Sequence, residues 1–161
     1  VRGVPDNTGV AAKVFSALAA NNVNLDMIIQ NVSEAGYTDI SYTTPGADLA
    51  RAVETMERIV PEIGAREFIV DEDIAKVSLV GTGMKSSPGV ASRTFQTLGD
   101  NNINIVAIST SPIRLSMIVD AAQAAQAVQC LHTAFGLDSD DLFVETQLSA
   151  EEIAAKMKKG R

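Results

Sequence analysis

The chain contains the same segment twice. Gly9-Val10-Ala11 recurs 80 residues later as Gly89-Val90-Ala91. The identity continues without a gap through Phe15 and Phe95, Leu18 and Leu98, Asn21 and Asn101, Asn22 and Asn102, Asn24 and Asn104, and Ile28 and Ile108. Solenoid repeats are roughly 20–50 residues long and need three or more copies, so a single duplication of this length predicts two small domains. We expect the first domain at residues 1–74, the second at 75–147 and a tail at 148–161.

The composition is that of a globular protein, with 46% hydrophobic and 20% charged residues. The net charge is −7 and lysines and arginines form no dense patch, which argues against a nucleic-acid partner. No apolar run approaches the roughly 18 residues of a membrane span, so we expect no membrane partner either. The single cysteine, Cys130, cannot form an internal disulfide and fits a reducing cytoplasm. The chain begins at Val1, which we interpret as a fragment or processed form.

Hydrophobic periodicity predicts the order strand, helix, strand, strand, helix, strand in each copy. In the first copy the first strand ends at residue 4, and the next helix and two strands cover 10–20, 23–32 and 37–43. A second helix starts at residue 49 and is ended by Pro61 and Gly64, and a last strand covers 66–70. In the second copy they cover 76–80, 90–98, 103–110, 113–119, 121–135 and 142–146. With right-handed crossovers, this order predicts an α+β protein of two tandem ferredoxin-like βαββαβ units. Ser149 and Glu152 form a plausible capping box for a short tail helix.

Two inward faces are predicted in the second copy. The strand at 113–119 alternates, and its inward residues are Ile113, Leu115, Met117 and Val119. The following helix carries an inward stripe formed by Ala124, Val128, Leu131 and Phe135.

The second strand of each copy lies at a sheet edge in this fold, and both sequences, 23–32 and 103–110, are strongly apolar. An exposed apolar edge would aggregate unless another strand paired with it. We therefore expect two copies to pair edge to edge into an eight-stranded sheet, either within a chain or between the chains of a homodimer. Each arrangement forms two equivalent crevices between an edge strand and the start of a helix.

Polar residues cluster around these helix starts and edge strands. Residues 6–9 lead into the first helix and residues 85–89 into its repeat. The N–H groups and dipole of a helix N-terminus favour a carboxylate or phosphate, although such residues also cap helices without any ligand. Asn24, Asp26 and Gln30 lie on the edge strand. Together these groups favour a small zwitterion, with N–H groups for its carboxylate and side-chain oxygens for its ammonium.

The sequence offers no catalytic set. His132 is the only histidine and lies beside the apolar stripe of a helix. Residues 80–86 follow a strand and precede a helix, as a phosphate-binding loop would. They fit neither of the glycine-rich phosphate-binding motifs, G-x-x-x-x-G-K-[ST] and G-x-G-x-x-G. Metal-ligand spacing is also lacking. We expect a chain without catalytic residues, metal or cofactor.

Several short motifs extend over nearly the whole chain, as far as about Val144. In the first copy they are Gly3-Val4-Pro5-Asp6, Asn24-Leu25-Asp26-Met27, Gln30-Asn31-Val32-Ser33 and Thr38-Asp39-Ile40. In the second copy they are residues 76–84 and 87–90, Asn104-Ile105 and Ile108-Ser109-Thr110-Ser111. These motifs resemble the two ACT domains of an aspartate kinase. Because a kinase catalytic domain is absent from this sequence, the chain resembles the regulatory (β) subunit of an α2β2 aspartate kinase, or the regulatory fragment of a longer kinase.

The resemblance implies a regulatory part of an enzyme that transfers phosphate from ATP to L-aspartate. In this family ACT units bind threonine and lysine between ACT1 of one chain and ACT2 of another, which holds the catalytic subunits inhibited. The implied partners are a second copy and the catalytic α subunit, and the implied ligand is L-threonine, with L-lysine as a second candidate. The implied effector-binding residues are Asp6, Asn7, Thr8, Gly9, Val10, Ala11, Asn24, Leu25, Asp26, Gln30, Val90, Ala91, Asn104, Ile105, Ser111 and Pro112.

One position departs from the family pattern. Pro112 stands where relatives commonly carry an acidic residue, so the chain lacks a side chain that would complement the lysine ammonium. Two alternatives stay open at this point: a free-standing ACT-pair sensor of another amino acid, and a purely structural dimerisation module.

Overall fold

Each copy folds around its own core, the first unit being Val1–Glu72 and the second beginning at Asp73. The computed structural model describes residues 1–32, 34–82, 84 and 89–137. The predicted strand at 142–146, the capping box in the tail and the lead-in residues 85–88 lie outside the described residues. Within the described ranges, no helix is long and apolar enough to cross a membrane.

The first unit packs two helices against short antiparallel strands. Its elements are β1 (Val4–Pro5), α1 (Val10–Ala20), β2 (Ile28–Gln30), β3 (Tyr37–Thr38), β4 (Ile40–Tyr42) and α2 (Leu49–Ile63), with a 3-10 turn at Gly46–Asp48 before α2. β1 pairs with β3 and β2 pairs with β4. The core draws on two strands and both helices: Val4, Val14, Leu18, Ile40 and Met56 are almost completely buried in it.

The second unit repeats this plan with a longer sheet. Its elements are β5 (Ile74–Val80), α3 (Val90–Asp100), β6 (Ala107–Ser111), β7 (Arg114–Asp120) and α4 (Ala124–Ala134), with a 3-10 turn at Ala121–Gln123 before α4. β7 lies between β5 and β6, and all neighbours are antiparallel. Val77, Leu98, Met117 and Leu131 contribute to its core. The α+β class predicted from the sequence is confirmed.

The two first helices end in the same way. Asn22 and Asn102 adopt left-handed φ angles of 54° and 55°, a conformation that asparagine tolerates better than most residues. The N–H of Val23 then donates to the carbonyl of Leu18 at 3.0 Å, and Ile103 repeats this bond to Leu98 at 2.9 Å. These bonds close a Schellman-type helix end, in which an apolar residue turns back onto the last turn of the helix. The asparagine pairs of the repeat are therefore helix terminators.

This helix end corrects the predicted edge strands. The strands at 23–32 and 103–110 are wrong in length, because the structure forms only Ile28–Gln30 and Ala107–Ser111. Val23 and Ile103 are apolar because they fill the cores directly after the helices, in turns that carry no strand pairing. The apolar residues that suggested a strand are therefore explained by burial in a turn.

Two further predictions are wrong in detail. The strand at 66–70 is reduced to a single bridge between Glu67 and Arg2. Pro61 lies inside α2, whose end comes at Ile63, before Gly64 in the left-handed region. Gly64 ends the helix as predicted. By contrast, the predicted helix at 10–20 has the same bounds as α1.

The inward faces of the second unit are partly wrong. Leu115, Met117 and Val119 are buried, as predicted, but Ile113 lies before β7 and is 54% exposed. On α4, Val128 is 52% exposed, whereas Leu131 is 3% exposed. Ala127, which the prediction omitted, is buried, so the inward stripe follows Ala127 and Leu131.

Two substitutions on α4 test this corrected stripe. Leu131→Ala removes a buried side chain and should lower the free energy of unfolding by about 2–5 kcal/mol. Val128→Ala, the matched control one turn away on an exposed position, should change it by no more than about 0.5 kcal/mol. Urea denaturation followed by far-ultraviolet circular dichroism measures both values. Equal losses in the two variants would contradict the placement of Val128.

Candidate functional site

The loop before α1 leaves the start of that helix without a side-chain cap. Asp6, Asn7 and Thr8 are exposed, and Gly9 holds the N-cap position with a left-handed φ of 92°. No side chain in the described part of the chain bonds the first turn of α1 from this position. An α-helix leaves its first N–H groups without intrahelical acceptors, so this end can receive an anionic group. The carbonyl of Asn7 accepts the N–H of Val10 at 3.2 Å, so the loop caps the helix start through its backbone.

Backbone pairing connects this loop to Gln30. The strand segment 37–42 has residues 1–5 along one side and β2 along the other, with Val4 opposite Thr38 and Gln30 opposite Ile40. Asp39 strengthens the junction, because its Oδ1 accepts the N–H of Gly3 at 2.8 Å. Gln30 itself is exposed at the end of β2. The pairing therefore holds Gln30 and the strand that leads to α1 on the same rigid segment.

Asn24 follows the helix-ending turn and is bound on several sides. Its backbone N–H donates to Asp48 Oδ2 at 2.9 Å, and its side-chain Nδ2 donates to the same oxygen at 3.0 Å. Its carbonyl oxygen accepts the Thr44 hydroxyl at 2.8 Å. A carboxylate only accepts hydrogen bonds, so the NH2 of the Asn24 amide must face Asp48 and the amide oxygen must point away from it.

Asp48 and Arg51 complete this cluster from the start of α2. Arg51 Nη2 forms an ion pair with Asp48 Oδ1 and also donates to the carbonyl of Asn22 at 3.2 Å. Asp48 is 6% exposed. The hydrogen bond from the Asn24 backbone N–H is the main cause that lowers the pKa of Asp48, with smaller help from the Asn24 side chain and Arg51, against the opposing effect of burial. The sequence prediction missed Asp48 and Arg51, although an aspartate directly before a helix was a visible signal.

The remaining predicted residues of the first unit have structural contacts. Leu25, Val10 and Ala11 are half-buried and pack against the first core. The N–H of Asp26 donates to the carbonyl of Thr43 at 3.0 Å.

The second unit presents the equivalent positions with different chemistry. Gly89 starts α3 with a φ of 99°, as Gly9 starts α1 with a φ of 92°, and Val90 and Ala91 form the first turn. Asn104 is exposed after the helix-ending turn, and Ile105 packs against the second core. Gln123 precedes α4 as Asp48 precedes α2, but its Nε2 bonds the carbonyl of Asn102 at 3.1 Å.

The turn between β6 and β7 carries the last two predicted residues. Ser111 ends β6 and its hydroxyl lies 3.5 Å from the carbonyl oxygen of Arg114. Pro112 is exposed in the turn that follows. The structure thus places the predicted residues in two sets, one in each unit. Among the described residues, no group of three or more His, Cys, Asp or Glu side chains could hold a metal ion.

Comparison with known proteins agrees with this repeated architecture. The family model described as ACT domain matches residues 2–59 and again residues 77–135. The chain belongs to the ACT domain family.

Proteins similar in sequence to this chain include aspartate kinases. The chain is 48% identical over 139 residues to the aspartate kinase of Stutzerimonas stutzeri and, to the same degree, to the aspartokinase of Pseudomonas aeruginosa. These alignments cover 86% of this chain and 34% of each relative, so the chain spans about a third of the length of the curated relatives it matches.

Solved structures similar to the ACT pair include regulatory subunits. A crystal structure of aspartokinase alpha and beta subunits matches with a TM-score of 0.79 and 43% identity, covering 84% of this chain and 89% of that one. The ligand-free regulatory subunit of aspartate kinase from Thermus thermophilus matches with a TM-score of 0.78 and 41% identity, covering 83% and 88%. The resemblance to this regulatory subunit, with tandem ferredoxin-like ACT domains, is confirmed.

Substituting Asp48 with asparagine tests the electrostatics of the first ACT domain. Because the folded pKa of Asp48 is lowered, its ionised form stabilises the fold above the unfolded pKa of about 3.9, and this contribution is lost as pH falls through the lower folded pKa. The stability difference between the wild type and Asp48→Asn should therefore be constant from about pH 7 to 5 and shrink below about pH 4.

Tyrosine fluorescence during urea denaturation measures this stability difference in the first domain. Tyr37 and Tyr42 are the only tyrosines, both lie in that domain, and the chain has no tryptophan. Gln123→Asn, which removes no charge, is the control and should show no such pH dependence. A difference for Asp48→Asn that stays constant down to pH 2 would contradict the assignment.

Proposed function

We propose that this chain is the non-catalytic regulatory part of an aspartate kinase and that its first ACT domain binds L-threonine as a feedback effector. The proposal is supported by the similarity to aspartokinase regulatory subunits, of which the chain covers almost nine-tenths. The observation that carries the binding site is the uncapped start of α1 in the same domain as two exposed amide side chains, Asn24 and Gln30.

The chemistry of these groups suits the head group of an amino acid. The N–H groups of the first turn of α1 and the positive end of its dipole attract the α-carboxylate. The amide oxygens of Asn24 and Gln30 can accept from the ammonium or from a side-chain hydroxyl. Gly9 has no Cβ at its left-handed position, so a ligand can approach the backbone of residues 6–9 closely. The corresponding residues of the second domain, Val90, Ala91, Asn104, Ile105, Ser111 and Pro112, are proposed to bind an effector in the same way.

Regulation requires that the effector favour one arrangement of the catalytic partner over another. Such a coupling free energy is typically about 1–3 kcal/mol. We propose that the partner is a separate catalytic α subunit and that two copies of this chain associate through the edges of β2 and β6. Among the described strands, β2 pairs only with β4 and β6 only with β7, so each keeps one edge for another strand.

Titration calorimetry of the full chain against each of the twenty amino acids tests this function. Threonine should give saturable binding, and most other amino acids should not. Adding the chain to an aspartate kinase catalytic polypeptide should then make the kinase sensitive to threonine. Absence of binding by all twenty amino acids would favour a structural dimerisation module. Binding without any effect on the kinase would favour a free-standing sensor.

Gln30→Ala tests the placement of threonine. Loss of the hydrogen bond that Gln30 would make to the bound threonine should weaken binding by about 1–3 kcal/mol. Thr110→Ala, at the equivalent position of the repeat on β6, is the matched control and should leave the affinity at the first domain unchanged. Calorimetry on both variants, with tyrosine fluorescence to verify folding, gives the comparison. Unchanged threonine affinity in Gln30→Ala would rule out this contact.

Pro112 is proposed to make lysine a weak effector or none. A proline offers neither a negative charge nor an N–H group to the lysine side chain. A charge-assisted contact contributes about 1.5–3 kcal/mol, so Pro112→Glu should raise lysine affinity about tenfold or more. Pro112→Gln separates the loss of proline from the gain of charge and should have little effect. Lysine binding to the wild type as tight as threonine binding, or no gain in Pro112→Glu, would contradict the proposal.

A further inference from the structure

The two repeats share a backbone at the helix-ending turn but differ in what holds the next asparagine. Asn24 and Asn104 occupy the same repeat position, two residues after the left-handed Asn22 and Asn102. In the first domain a charged pair, Asp48 and Arg51, bonds this turn. In the second domain the matching helix positions are Gln123 and Gln126, which bond the carbonyls of Asn102 and Asn101.

The charged pair bonds the helix-ending turn of the first domain at two residues. Arg51 bonds the carbonyl of Asn22, while one oxygen of Asp48 accepts both the backbone and the side-chain N–H of Asn24. Thr44 occupies the carbonyl of Asn24. The side-chain oxygen of Asn24 is the one polar atom of this residue that bonds to nothing in the described part of the chain. The exposure of Asn24 makes that oxygen accessible to a ligand.

We propose, on the basis of the proposed function, that Asp48 is a positioning residue that holds the Asn24 amide with its oxygen directed outward to accept the ammonium or hydroxyl of the effector. An unanchored asparagine can rotate its amide and present either the oxygen or the NH2 group. An NH2 group would repel an ammonium, so only one of these orientations binds. Fixing the orientation before binding avoids the cost of ordering the side chain in the complex.

The second domain lacks this device. Neither Gln123 nor Gln126 bonds Asn104, whose side chain has no hydrogen bond to another described residue. Glutamine is also neutral and carries both donor and acceptor, so it would not impose a single amide orientation as a carboxylate does. Threonine affinity at the first domain should therefore depend on Asp48, and the equivalent substitution at Gln123 should leave it unchanged.

A double-mutant cycle on the full chain tests the inference. Threonine titrations compare the wild type, Asn24→Ala, Asp48→Ala and the double variant. Each single variant should bind about tenfold more weakly, the usual effect of losing one hydrogen bond to a charged group. The double variant should bind no more weakly than Asn24→Ala, because Asp48 acts only through Asn24. Asp48→Asn keeps one acceptor oxygen but, like the glutamine of the second domain, also carries a donor, so its affinity should lie between those of the wild type and Asp48→Ala.

Controls separate this role from a general structural one. Gln123→Ala should leave the threonine affinity within about twofold of wild type. Tyrosine fluorescence verifies that the first domain remains folded in every variant. The side-chain NH2 of Asn24, observed by nuclear magnetic resonance without ligand, should exchange with solvent slowly in the wild type and rapidly in Asp48→Ala.

The outcomes distinguish the inference from the function on which it rests. A wild-type chain that binds no threonine contradicts the proposed function, and the ligand role of Asn24 with it. Threonine binding that is unchanged in Asp48→Ala contradicts the inference alone. The same holds if the losses from Asn24→Ala and Asp48→Ala simply add in the double variant.

Discussion

The helix-ending turn at Asn22 and Asn102 determines how each domain is arranged. A left-handed residue at this point reverses the chain and lets Val23 or Ile103 pack back onto the last turn of the helix. That apolar residue belongs to the domain core, so the following asparagine is directed to solvent. Helix length, core packing and the exposure of Asn24 and Asn104 thus follow from one backbone conformation. The duplication of Asn-Asn in the sequence has a conformational cause.

Charge distinguishes the two copies of this turn. Asp48 and Arg51 reach it from the start of α2 and bond it at Asn22 and Asn24. In the second domain Gln123 and Gln126, at the start of α4, bond the carbonyls of Asn102 and Asn101, and neither bonds Asn104. A nearly buried carboxylate that accepts two N–H groups restricts its partner more strongly than a neutral amide does. Two domains with the same fold can therefore differ in how far the asparagine after this turn is preorganised to bind a ligand.

Local signals predicted much of the fold. The apolar spacing and Gly9 gave the bounds of α1, and the duplication gave two α+β units. The strands at 23–32 and 103–110 were too long because an apolar residue buried in a turn has the same sequence signature as one in a strand. The predicted stripe on α4 is right at Ala124, Leu131 and Phe135, which all pack in or against the second core. Val128 was misplaced because the neighbouring Ala127 is the residue that contacts the core, and helical spacing alone does not choose between these two adjacent positions. The contact between Asp48 and Asn24 joins residues 24 positions apart, so no local pattern reports it.

Amide hydrogen exchange of the full chain, with and without threonine, tests most directly whether the first ACT domain is an effector-binding unit. Threonine should slow exchange at residues 10–13 and 24–30, where the start of α1, Asn24 and Gln30 lie. The matched segments of the repeat, 90–93 and 104–110, should change less, since Asn104 has no charged anchor. Exchange that is unaffected by saturating threonine, or slowed only in the second domain, would show that the first ACT domain is not the effector-binding unit.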